Sequence, residues 1–92
     1  MNKEYYVIKT ENNKFVHITL DERFDEYVVD EVYLDVSHCR NIIFDEIDKA
    51  NEVFNAIKNN STYDFSPTYN ENSVKVKEVI KVRINFSFEE IK

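Results

Sequence analysis

From Ser73 to Phe88 the chain alternates apolar and polar residues over sixteen positions (SVKVKEVIKVRINFSF), and no other stretch constrains the fold as strongly. Val74, Val76, Ile80, Val82, Ile84, Phe86 and Phe88 hold the even positions, broken by Glu78. Lys75, Lys77, Lys81, Arg83, Asn85 and Ser87 hold the odd ones, broken by Val79. Successive side chains of a strand point to opposite faces of a sheet, so the run predicts a β-strand with one core face and one cationic stripe. At about 3.3 Å per residue a straight strand of this length would reach roughly 50 Å, far beyond the usual five or six residues. The adjacent exceptions Glu78 and Val79 mark where a bulge would swap the faces and divide the run into two segments.

Upstream, Glu4 to Thr10 (EYYVIKT) and Lys14 to Leu20 (KFVHITL) are β-branched and aromatic runs around Glu11-Asn12-Asn13, which reads as a hairpin. The chain contains no glycine, so a turn needing positive φ falls to asparagine, with Asn12-Asn13 and Asn59-Asn60 as the places. Val16, Ile18 and Leu20 are expected on the core face. Tyr27 to Val36 reads as a third strand with Val28, Val32, Leu34 and Val36 on one face. Asp30 interrupts that face, and a buried unpaired carboxylate is costly, so a bulge there or a later strand start is expected. From Asp45 the apolar period becomes helical, through Ile47, Ala50, Val53, Phe54 and Ile57. Asp45 is the expected N-cap, and Lys58 with Asn59-Asn60 the end. Ser61 to Asn72 reads as a loop carrying Tyr63, Phe65 and Tyr69. The expectation is one domain over residues 1–92 of the α+β class: an antiparallel sheet of about four strands in the order ββ-β-α-β, with one amphipathic helix packed on one face.

Eighteen acidic against twelve basic residues give a net charge of -6, which repels phosphate backbones and anionic membranes. A single cysteine, Cys39, rules out an intramolecular disulfide, and no apolar run approaches a membrane span; the reading is a reduced protein of the cytosol. His17, His38 and Cys39 fall short of the four ligands of a tetrahedral zinc site, and adjacent His38 and Cys39 point apart on an extended backbone. No metal and no cofactor are expected. Without glycine there is no phosphate-cradling loop or dinucleotide fingerprint. Nothing marks a nucleophile with its base or a facing pair of carboxylates, so an enzyme is not expected.

Charge is unevenly laid out. Residues 21–52 carry eleven acids against three bases, while residues 73–88 carry four bases against Glu78. The plain account is that the two regions lie near each other or are each a solvated face. The sharper account is a partner-binding surface made of Asp21, Glu22, Asp25, Glu26, Tyr27, Asp30, Glu31, Tyr33 and Asp35. Two alternatives stand beside it. The long strand could pair with its counterpart in a homodimer through Ile80, Val82, Arg83 and Ile84, since an open edge is a template for association. The cationic stripe could bind nucleic acid as a sheet face, against which stand the net charge and the place of Phe86 and Phe88 among the apolar positions.

Tyr6-Val7-Ile8-Lys9-Thr10, an asparagine turn into Lys14-Phe15-Val16, and Phe44-Asp45-Glu46-Ile47-Asp48-Lys49-Ala50 at a helix start follow one another over residues 5–58. In this pattern the chain resembles small accessory proteins of bacteriophages and prophages from AT-rich bacteria, a source that the asparagine-, lysine- and isoleucine-rich composition also suits. The resemblance brings no catalytic residues. It implies a non-enzymatic protein that binds a host protein in the host cytosol, as anti-CRISPR and other anti-defence inhibitors do when they occupy the nucleic-acid groove of a defence enzyme. Clustered carboxylates can imitate phosphates and be steered to a basic cleft.

Overall fold

The computed structural model describes residues 3–24, 26–34, 39–59, 68–69, 74–84 and 88–91. It is an α+β fold. The elements are β1 (Lys3–Thr10), β2 (Phe15–Asp21), β3 (Glu26–Val32), α1 (Cys39–Ile42), α2 (Ile47–Lys58), β4 (Thr68–Tyr69), β5 (Val76–Ile84) and β6 (Phe88–Glu90). Four antiparallel strands in the order β3-β2-β1-β5 carry the sheet. Two-residue β4 adds in parallel outside β3, and three-residue β6 adds antiparallel outside β5.

The first hairpin forms where its sequence places it. Asn13 takes φ 60°, the left-handed value that asparagine tolerates. Its N–H donates to the Thr10 carbonyl at 3.0 Å, closing the turn. Thr10 is fully buried. Its hydroxyl accepts from the Lys14 N–H at 3.1 Å and donates to Glu31 at 3.4 Å, and the Asn12 amide also donates to that carboxylate at 3.1 Å. The second asparagine pair behaves differently: Asn59 ends α2 at φ -94°, and Asn60 lies outside the described residues.

Helix α2 lays Val53, Ala56 and Ile57 against Ile8, Val16, Val29 and Val74, with Phe44, Phe54, Val76 and Val79 packed around them, and Ala50 is buried as well. The helical period was legible, but its start was not where the sequence put it. Glu46 is the N-cap, with no side-chain capping bond, and Asp45 instead pairs with Lys3 at 3.3 Å. Ile47, in the first turn, is 48% exposed.

The opposite face of the sheet is covered as well. Val7, Phe15 and Val82 form a second cluster with Ile42, and Tyr5, Val32, Leu34, Ile43 and Ile80 pack around it. Both covers depend on a break between β1 and β2. These strands pair at Lys9 and Phe15 and then part, and Phe44 takes the vacated place on β1, exchanging both backbone bonds with Tyr6 at 2.9 and 2.8 Å. On the other side of the opening the Asn41 amide donates to the Ile18 carbonyl of β2 at 2.9 Å. Ile42 and Ile43 lie on one face and Phe44 on the other, so the chain crosses the sheet here before α2 begins. The Tyr6 N–H and carbonyl and the Ile18 carbonyl on the parted strands are thereby satisfied, as buried ladder edges require.

Three strand expectations are corrected. The third strand ends at Val32, and Val36 lies outside the described residues. No bulge occurs at Asp30: the β2–β3 register runs unbroken from Phe15–Val32 to Asp21–Glu26, with Asp30 opposite His17. Asp30 is exposed there, so its carboxylate needs no bulge to escape burial. On β2, Val16 is buried but Leu20 is 46% exposed, while Phe15, on the other face, is buried too.

The run at 73–88 is not one extended strand. Residue pairing passes from Lys9–Glu78 to Thr10–Val76, which leaves Lys77 as an extra residue, one place before the expected bulge. Before it, Val74 and Val76 face α2; after it, Val79 takes that face and Ile80 and Val82 turn to the opposite cluster. The even-numbered apolar positions are thus divided between both faces. Lys81 and Arg83, opposite Tyr6 and Glu4, lie on the same side as Val79, so no single cationic stripe exists. Phe88 belongs to β6, which folds back on β5. The longest dimension of the molecule, 37 Å, could not hold the run straight. No helix among the described residues is long and apolar enough to cross a membrane.

Candidate interaction surface

The acidic stretch expected to form one surface is divided by strand geometry. Neighbouring positions of β3 face opposite ways, so Asp30 stands beside His17 on one face and Glu31 on the other, held by Asn12 and Thr10. Tyr27 is half-buried against the α2-side cluster and is a packing residue. Tyr33 is 73% exposed, with the Lys14 ammonium 5.1 Å from its ring centre, at the end of the molecule that holds the Asn13 turn. Asp21 and Glu22 lie in the β2–β3 turn, Glu26 opens β3 opposite Asp21, and Asp25 and Asp35 lie outside the described residues.

The acidic strand and the basic strand are not neighbours. β2 and β1 separate β3 from β5, and among the described residues Lys75, Lys77, Lys81 and Arg83 make no ion pair within 4.0 Å. The expected self-association strand is covered. From Val82 to Ile84, β5 is paired with β1 on one side and β6 on the other, and the Ile91 N–H donates to the Lys81 carbonyl at 3.0 Å. Val82 is fully buried, so a strand of another copy has no open edge at Val82, Arg83 and Ile84, and Ile80 packs on the second core cluster.

What the structure exposes instead is apolar. Leu20 is 46%, Phe24 67% and Ile47 48% exposed. All three lie at one end of the molecule, where β2 ends and β1 begins, because Asp45, just before α2, reaches Lys3 at the start of β1. The sequence signal for Phe24 was a lone aromatic inside the polar segment DERFDE, at a position no apolar alternation explains.

The turn that carries Phe24 is tightly held. The Asp21 carboxylate accepts from the Arg23 backbone N–H at 3.1 Å and from its guanidinium twice, each at 3.2 Å. The Phe24 N–H donates to the Asp21 carbonyl at 3.2 Å, and the Arg23 guanidinium lies 5.4 Å from the Phe24 ring centre. The Arg23 side chain holds the Asp21 carboxyl below its ordinary range, and Asp21 raises Arg23 in turn. A depressed carboxylate contributes fully above its unfolded value and loses that contribution as pH falls through its folded one. The turn should therefore stay closed below the pH at which an ordinary aspartate titrates. Following the Asp21 carboxyl carbon by NMR should give a midpoint that rises to the ordinary range in Arg23→Ala, and an unchanged midpoint would dissolve the pairing.

Exposed carboxylates surround this end: Glu22 in the turn, and Asp45, Glu46 and Asp48 at the start of α2. At the other end a shallow groove of about 220 Å³ lies between Ile57 and Lys58 of α2, Glu11, and Val74 to Val76. It is smaller than the usual ligand pocket of about 300 Å³ or more. Among the described residues no three His, Cys, Asp or Glu side chains gather as a metal site; His38 lies outside them. No family model, curated protein or solved structure matches the chain.

Proposed function

We propose that this is a non-enzymatic binding protein of phage type that inhibits a host defence enzyme, docking by the end of the molecule that carries Phe24. The observation that carries the reading is the exposure of Leu20, Phe24 and Ile47 at the same end of the molecule as several exposed carboxylates. Large apolar side chains left in water at one place mark an interaction site more often than chance, and charged neighbours keep such a patch soluble. The class of target comes from the resemblance over residues 5–58, and the charge agrees with it. A carboxylate-rimmed surface is attracted to the basic groove in which a nucleic-acid enzyme holds its phosphates.

The test is expression in a host whose defence enzyme is active, with capture of the tagged protein from the same cells. Loss of defence together with recovery of a nucleic-acid-handling enzyme is the expected result. Intact defence and no such enzyme among the captured proteins would sink the reading.

A further inference from the structure

We infer that Phe24 is a preformed anchor, which the β2–β3 turn inserts into an apolar pocket of a partner protein whose rim carries lysine or arginine. The inference rests on the binding reading above and adds to it the chemistry of the partner's site. Phe24 stands 67% exposed at a turn and belongs to neither core cluster. A ring in that position forgoes burial within its own fold, and burial against a partner recovers it.

The ring is also held ready. Asp21 fixes the Arg23 guanidinium through two bonds, the guanidinium lies beside the Phe24 ring, and the Phe24 backbone is tied to Asp21. Side chains ordered before contact lose less entropy on binding, and buried aromatic anchors at the centre of an interface carry most of its energy. Leu20, on the strand that leads into the turn, adds apolar surface at the pocket mouth.

Charge chooses among occupants. Arg23 is paired with Asp21, Lys3 with Asp45 and Lys49 with Glu52, and Arg83 lies across the ladder from Glu4. Glu22, Glu46 and Asp48 remain as a negative rim. A nucleic acid or an anionic bilayer is repelled by that rim, and a second copy would bring like charges together. A protein pocket framed by lysine or arginine is attracted to it.

The experiment places a benzophenone-bearing phenylalanine analogue at position 24 and, separately, at position 33, and irradiates host cells expressing each form. Tyr33 is equally open to solvent but lies at the far end. The expected result is a crosslink from position 24 to one host protein, at a peptide bordering an apolar pocket lined by Lys or Arg, and none above background from position 33. With that protein purified, Phe24→Ala should weaken binding at least about 30-fold, the scale of an anchor residue, with an unchanged melting temperature. A crosslink from position 33 alone would overturn the anchor and the docking end while leaving the class of function, a binding protein, intact. Silence at both positions would overturn both. A crosslink from position 24 to lipid, to a second copy or to an acidic surface would overturn the assigned partner, as would an affinity unmoved by Phe24→Ala.

Discussion

Ile42→Ala should lower the unfolding free energy by roughly 2 to 5 kcal/mol, the cost of emptying a well-packed core site. That is a large part of the roughly 5 to 15 kcal/mol by which a small domain is stable. The expectation follows from the break between β1 and β2. Ile42 is 1% exposed and touches the cluster of Val7, Phe15 and Val82, while two residues later the Phe44 backbone completes the ladder of β1. A cavity at Ile42 loosens the segment that satisfies Tyr6, so packing and backbone bonding should fail together. Ile47→Ala, five residues on but 48% exposed, should stay within about 0.5 kcal/mol. Urea denaturation of the two variants decides the matter. Equal, small losses would mean that residues 41–44 are an ornament on the sheet and not part of its core.

The elements that sequence reasoning found are those whose signal is local. The period of α2 is written in its own residues, and the Asn13 turn answers a conformational need that asparagine meets in a chain without glycine. Reading which way a strand faces is harder, because alternation separates two sets of side chains without saying which set is inside. Here both sets are inside at the sheet centre: Val7 and Ile8 are consecutive and fully buried. A rule that sends apolar residues inward and polar ones outward therefore misplaced the opposite face, and with it the cationic stripe. The crossing at Phe44 was beyond local reading for another reason. Its bonds join residues 38 positions apart, and the run Asn-Ile-Ile-Phe has the period of neither helix nor strand. The candidate site was half legible. Its charges are legible in the sequence, yet the alternation of β3 scatters Asp30 and Glu31, and the exposed ring of Phe24 stands in a polar segment where no periodicity singles it out.

Removing one residue from β5 should be harmless at Lys77 and ruinous at Lys81. Lys77 is the extra residue of the bulge, so its loss leaves Thr10 opposite Val76 and Lys9 opposite Glu78 in a regular ladder, with every side chain on its present face. The expected change in stability is about 1 kcal/mol or less, as for other surface changes. Loss of Lys81 offers two registers, and both are bad, since a one-residue slip moves side chains to the wrong face. If Val82 keeps its place opposite Tyr5, the bulge is consumed and Glu78 moves opposite Ile8, a fully buried position under α2. If Ile80 keeps its place opposite Val7, Arg83 moves into the site of Val82, which is fully buried in the second cluster. Either register buries an unpaired charge at a cost of about 3 kcal/mol or more, enough to unfold a marginal domain. Circular dichroism and amide exchange on the two deletion proteins read the difference. A folded protein without Lys81 beside an unfolded one without Lys77 would show that the strand changes face somewhere other than at Lys77.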